Sequence, residues 1–152
     1  MIGHYRTPFG WLEYEINGES LRRVSWMDVH PIQPCLDPVL QDFWSQWFIN
    51  PTLQCPYSFE LTGTKFQRTV WKELQNIPLG STKTYKEIAS AIDSPNAQQA
   101  VGQACKKNPI TLLIPCHRVL GKGDRLTGYV GTKLLSTKDD LLKWERDVIA
   151  KI

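Results

Sequence analysis

Residues 114–123, "IPCHRVLGKG", set Cys116 directly beside His117 and Arg118, with a proline in front and a glycine-punctuated loop behind. A thiol is a useful nucleophile only as thiolate, and adjacent cationic or hydrogen-bonding groups lower its pKa. His117 can act as the base directly or through a water, and it then needs a carboxylate to orient it and to stabilise its imidazolium. Glu145, near the C-terminus, is the best candidate. The tripeptide equally admits a buried cysteine packing as a small hydrophobe beside a surface histidine. A cysteine hydrolase is a third reading. It would need its histidine remote in sequence, because adjacent side chains seldom converge on one substrate atom without a water between them.

The remaining candidate ligands are sparse. Cys35, Cys55, Cys105 and Cys116 are irregularly spaced with no C-x-x-C pair, which in a reducing compartment argues against a disulfide framework. Cys35 and Cys55 with His4 and His30 show no zinc spacing, so no metal is expected, and Cys105 reads as packing. No stretch approaches the length of a membrane span and the N-terminus lacks a signal-peptide pattern, so the expected location is the cytoplasm. Charge is unevenly spread: residues 1–63 hold three basic against seven acidic side chains, and residues 64–152 fifteen against eight. The second half therefore faces a polyanion, or simply carries solubilising lysines.

The elements that must position these residues follow from hydrophobic periodicity. "GWLEYEI" alternates, "NGES" is a turn and "LRRVSWMDV" resumes a strand pattern, which makes a hairpin or small sheet of residues 5–29. Val39, Leu40, Phe43, Trp44 and Trp47 share one helical face, "YSFELTG" is extended, and an acidic lobe ends near Gly63. Beyond it, Phe66, Val70, Trp71, Leu74 and Ile77 mark a helix stopped by "PLG". "STKTYKEIASAI" reads as a second helix, closed by the four-residue turn "DSPN". "NAQQAVGQACKKN" reads as a third, opening on an Asn or Ser cap and ending at Lys106, Lys107 and Asn108. A last helix starts near Lys138 with Leu141, Leu142, Trp144 and Val148. The expected fold class is α+β, a sheet-plus-helix lobe over 1–63 and a mainly helical lobe over 64–152 with helix-turn-helix proportions.

Several segments carry a closer likeness. "FQRTVWKELQNIPLGSTKTYKEIA", "AVGQAC", "NPITLLIPCHRVL", with its N-P eight residues ahead of the cysteine, and "GYVG" closely resemble the O6-alkylguanine-DNA alkyltransferase family, the methylated-DNA–protein-cysteine methyltransferases. The likeness runs through residues 64–148, the DNA-binding and alkyl-transfer domain, while residues 1–63 resemble the family's looser ribonuclease-H-like α/β lobe. The resemblance implies that Cys116 takes the alkyl group from O6-alkylguanine, with O4-alkylthymine a further candidate, in a nucleotide flipped out of the duplex. The product thioether offers no activated group for water or a thiol to attack, so each molecule acts once.

By the same resemblance, His117, a water and Glu145 take the thiol proton, and Tyr85 donates to the leaving base. Asn108 pins the turn before the cysteine, Arg118 scaffolds it, and Thr111, Tyr129, Val130 and Gly131 line the base pocket. Tyr85, Ala97, Gln98, Gln99, Lys106 and Lys107 face the minor groove of double-stranded DNA. No cofactor is implied, the alkyl donor being the damaged base, and the expected state is a monomer. Two departures stand out. Gln99 occupies the place of the family's arginine that fills the gap left by the flipped base, which predicts weaker DNA binding. Thr132 replaces a common glycine in a slightly longer loop. A non-enzymatic sensor of alkylguanine is the competing reading, weakened by the presence of Cys116, His117, Tyr85 and Glu145 together.

Overall fold

A computed structural model describes residues 1–121 and 135–151 of the chain, which divide into two compact units. The first comprises Met1–Leu61 with Pro109–Thr111, and the second Thr62–Asn108 with Leu112–Ile152.

The first unit is built on a sheet ordered β1-β2-β3-β4. Strands β1 (Ile2–Thr7), β2 (Gly10–Asn17) and β3 (Ser20–Trp26) run antiparallel, and the short β4 (Ser58–Phe59) lies parallel to β3. Alternate residues of β2, Leu12, Tyr14 and Ile16, are all buried, as period-two geometry requires for a strand with one covered face. Strand β1 was not foreseen from the sequence pattern. It can pair because Gly3 stands opposite Tyr14, where a Cβ would meet the tyrosine ring at 2.3 Å. Helix α1 (Pro38–Trp47) starts on Asp37, whose carboxylate accepts from the Leu40 N–H at 3.0 Å, and buries Leu40, Phe43, Trp44 and Trp47. Val39, expected on that face, is 51% exposed, because the stripe centres on the other four and leaves its position to solvent. The chain returns to this unit at Pro109–Thr111. There the Val24 N–H donates to Pro109 O (2.8 Å) and the Thr111 N–H donates to Val24 O (3.0 Å).

The second unit is mainly helical. Helix α2 (Lys65–Leu74) opens on a capping box in which Thr64 and Gln67 satisfy each other's backbone N–H groups at 3.0 and 3.1 Å. It buries Val70, Trp71 and Leu74, and the Trp71 indole N–H donates to Ala104 O at 2.8 Å. Residues 81–84, expected as helix, instead carry the two-residue strand β5 (Lys83–Thr84). Thr84 closes a second capping box with Glu87, so helix α3 (Tyr85–Ala91) cannot start before Tyr85. Its end is equally definite: Asp93 sits at φ 59°, with Asp93 N–H on Ser90 O (3.1 Å) and Ser94 N–H on Ala89 O (2.8 Å). That is a Schellman stop, and Pro95 follows it.

This stop lies in the turn expected to close the helix, and it takes Ser94, one of the two residues expected to cap the next one. The connection to helix α4 (Gln98–Lys106) spans residues 92–97 rather than four, and α4 opens on Ala97 with no side-chain cap in place of the expected Asn or Ser. Helix α5 (Leu135–Ile149) begins three residues before the expected Lys138. Lys138, Leu141, Leu142 and Glu145 form its buried stripe, with Trp144 and Val148 half-buried at the margin. Among the described residues no helix is long and apolar enough to cross a membrane.

Candidate active site

Cys116 opens a 3₁₀ turn, Cys116–Arg118, inside the second unit. The turn is held at both ends by backbone bonds: the Cys116 N–H donates to Ile114 O at 2.8 Å, and the Val119 N–H closes onto Cys116 O. Strand β6 (Val119–Leu120) follows at once and pairs parallel with β5, placing Leu120 opposite Thr84. Tyr85 is the next residue after Thr84, so this ladder sets the start of α3 in register with the cysteine turn. Asn108 is buried just past the end of α4, its amide donating to Ile114 O at 2.7 Å and bonding the Cys116 thiol as well. It thereby connects the end of α4 to the nucleophile and to the residue two before it.

The thiol is 3% exposed. Burial pushes its pKa up to about 11, while the Asn108 hydrogen bond and the Lys138 cation act in the opposite direction by favouring the thiolate. Cys116 at rest is therefore a protonated thiol that needs a base. The adjacent imidazole of His117 is wholly buried, and burial holds its pKa below the usual histidine value even though Glu145 opposes the shift. A neutral imidazole is the form that can accept a proton.

Glu145, from α5, completes the arrangement. Its Oε1 bonds His117 Nε2, and its Oε2 accepts from Arg118 Nε at 2.7 Å. Burial would raise the carboxyl pKa, but His117 and Arg118 together more than offset this and hold it at about 2. Arg118 also donates through Nη1 to Ile77 O, beyond the end of α2, at 2.8 Å. Thus Arg118 does more than scaffold its own turn: it locks the carboxylate that orients the imidazole to a third segment of chain.

The other sequence-derived positions are more scattered. Tyr85 is half-buried, its ring 3.9 Å from the point where Gly102 would carry a Cβ, so α3 and α4 approach at that glycine. Gln98, Gln99, Lys106 and Lys107 are exposed, and Ala97 is half-buried. Thr111 belongs to the first unit and is buried there. Tyr129, Val130, Gly131 and Thr132 lie outside the described residues. Cys35, Cys55, Cys105 and Cys116 are all free thiols, and among the described residues no group of three or more His, Cys, Asp or Glu side chains could hold a metal ion.

One residue at the site was missed by sequence reasoning. Lys138 is 0% exposed, and its ammonium donates to Val119 O at 2.5 Å, bracing the segment that leaves the cysteine turn. A signal did exist: Lys138 precedes Glu145 by seven residues, two helical turns, and so shares its stripe with Leu141 and Leu142. A lysine on an apolar stripe is an anomaly worth a question.

The chain as a whole is similar to known proteins. Residues 65–147 match the family model described as the DNA-binding domain of 6-O-methylguanine DNA methyltransferase. A methylated-DNA–protein-cysteine methyltransferase of Methanosarcina barkeri is 53% identical over 85 residues, covering 56% of this chain and 52% of the relative. The constitutive enzyme of that name from Bacillus subtilis is 50% identical over 84 residues, covering 55% of this chain and 50% of the relative. In these matches the chain spans about half the length of the curated relatives. A crystal structure of Mycobacterium tuberculosis OGT in complex with DNA aligns over 97% of this chain and 93% of its own, at TM-score 0.83 and 33% identity. The M. tuberculosis O6-methylguanine methyltransferase aligns over 97% and 94%, at TM-score 0.80 and 32% identity. With the model matched across more than half of its residues, this chain belongs to the 6-O-methylguanine DNA methyltransferase family.

Proposed function

We propose that this chain repairs alkylated DNA by direct reversal, as a methylated-DNA–protein-cysteine S-methyltransferase that moves the alkyl group of O6-alkylguanine onto Cys116. One observation carries the reading: the buried chain Arg118–Glu145–His117 ends beside a buried thiol that Asn108 already hydrogen-bonds. The thiol proton passes by way of a water to the histidine, whose Nε2 is engaged by Glu145, so that Nδ1 takes it. The thiolate sulfur attacks the alkyl carbon in line, a carbon–sulfur bond forming as the carbon–oxygen bond breaks. Guanine leaves as an anion and collects a proton, for which the Tyr85 hydroxyl is the assigned donor. Asn108, Thr111, Tyr129, Val130 and Gly131 are assigned to holding the base, and Arg118 to holding Glu145.

The partner is double-stranded DNA, entered from the minor groove. The solved relative in complex with DNA and the exposed Gln98, Gln99, Lys106 and Lys107 support that assignment. Residues 64–152 form the DNA-binding and transfer domain in this reading. The protein acts as a monomer in the cytoplasm, where a reducing environment suits four free thiols.

The test is intact-protein mass spectrometry after incubation with excess duplex oligonucleotide carrying O6-methylguanine, with Cys116→Ser alongside. One added methyl per molecule, mapping to Cys116 and absent from the variant, is the expected result. Lesion binding without any mass change would reject transfer and leave a sensor, with Gln99 the first place to look for its cause.

A further inference from the structure

We infer that Leu112 is a positioning residue for the Cys116 sulfur, its left-handed backbone directing the carbonyl on which the cysteine turn is fixed. The inference rests on the reading of Cys116 as nucleophile. Two non-glycine residues among those described have positive φ, Asp93 at 59° and Leu112 at 73°. Asp93 is exposed, follows a helix end and has a side chain that tolerates the left-handed region. None of this applies to Leu112, which is 1% exposed and whose Cβ crowds the following carbonyl in that conformation. A strained backbone persists only where its surroundings over-determine it, and such residues cluster at active sites.

The surroundings of Leu112 meet that condition. Pro109 and Pro115 restrict φ at either end of its segment. On the N-terminal side, the Thr111 N–H donates to Val24 O at 3.0 Å and the Val24 N–H donates to Pro109 O at 2.8 Å. On the C-terminal side, Ile114 O accepts twice, from the Asn108 side-chain amide at 2.7 Å and from the Cys116 N–H at 2.8 Å. With both flanks held, the chain turns at Leu112 between them. Ile114 lies two residues on, so the backbone angle at Leu112 directs its carbonyl, and that carbonyl fixes both the Asn108 amide and the backbone of Cys116. Relaxation of Leu112 to an ordinary negative φ would swing Ile114 O away from its two donors. Burial of the leucine side chain opposes that relaxation, which accounts for leucine where the backbone alone would favour glycine.

Leu112→Gly and Leu112→Ala remove nearly the same side chain, but only glycine frees the backbone. Leu112→Gly is expected to melt about 2–4 °C above Leu112→Ala, the reverse of the usual order. It is nonetheless expected to transfer methyl from an O6-methylguanine duplex about tenfold more slowly than Leu112→Ala, at saturating DNA and below either melting transition. A merely structural leucine would move rate and stability together. Transfer rates that rank as the melting temperatures do would overturn the inference and leave Leu112 a packing residue.

A second pair avoids reliance on the folding of a truncated variant. Leu112→Met and Leu112→Val keep an apolar side chain of similar bulk, but β-branched valine fits a positive φ poorly. Leu112→Met is expected to keep the parent's rate and Leu112→Val to lose about tenfold, and equal rates would count against the inference as firmly. The loop is also read without any transfer, from NMR of the Asn108 side-chain amide. Its slow hydrogen exchange in the parent and in Leu112→Met should be lost in Leu112→Gly and Leu112→Val. Unchanged exchange in all of these variants would reject the role of Leu112 and leave the repair function standing. Absence of methyl transfer in the parent, with the Asn108 pattern as expected, would reject the proposed repair function alone.

Discussion

At the scale of single residues, the densest chemistry is the carboxylate of Glu145, shared between an imidazole and a guanidinium that are themselves buried. Removing one member of such a set leaves an uncompensated charge in the interior, which typically costs about 3–5 kcal/mol. Arg118→Ala should lose stability on that order in urea unfolding. Arg118→Lys should recover only part of it, because one ammonium cannot match the planar fork that reaches both Glu145 and Ile77 O.

The same carboxylate predicts a pH effect of defined sign. With its folded pKa held at about 2, below the usual carboxylate value, Glu145 contributes stability that is complete above roughly pH 4.5 and is lost as pH falls toward 2. The expected loss is on the order of 3 kcal/mol, and Glu145→Gln should flatten the acid limb of the unfolding profile. A variant with the parent's acid limb would show that other carboxylates carry it.

At the scale of elements, two capping boxes of the same design have different consequences. Thr64 starts α2, whose main task is to bury Trp71 and its neighbours, while Thr84 starts α3, whose first residue is Tyr85. Either Thr→Ala change should cost about 1 kcal/mol of stability. Only Thr84→Ala should also slow methyl transfer at saturating DNA, because fraying there misplaces the assigned proton donor. Equal transfer rates in the two variants would remove Tyr85 from that role. The sheet of the first unit offers a stability test free of the site: Gly3→Ala puts a Cβ into the Tyr14 ring and should destabilise by about 1–3 kcal/mol.

At the scale of the whole molecule, the relevant property is the charge split along the chain. Fifteen basic side chains against eight acidic ones in residues 64–152 provide a field for a polyanion, yet Gln99, at the exposed start of α4, is neutral where the resemblance expects arginine. Gln99→Arg should tighten binding to undamaged duplex and steepen the dependence of log affinity on log salt by about one. A gain that is independent of salt would mean the new side chain reads bases and adds no phosphate contact.

What the sequence by itself determined is local in origin. Amphipathic stripes such as Val70, Trp71 and Leu74, the alternation of β2, and the Cys116-His117-Arg118 tripeptide with Asn108 ahead of it depend on residues within a few turns of one another. Resemblance then assigned roles to them. Only the tertiary structure decided that Arg118 spans from Glu145 to a carbonyl 41 residues upstream, that Lys138 grips Val119 O, and that β5 and β6 bring Tyr85 into register with the cysteine turn. The misread cap of α4 has the same cause. Residues 93 and 94 were committed to stopping α3, and the competition between two neighbouring helices for one turn is settled by backbone hydrogen bonds that side-chain preferences do not reveal. Periodicity records which face of an element is buried, whereas the partner of each buried polar atom depends on packing between segments remote in the chain.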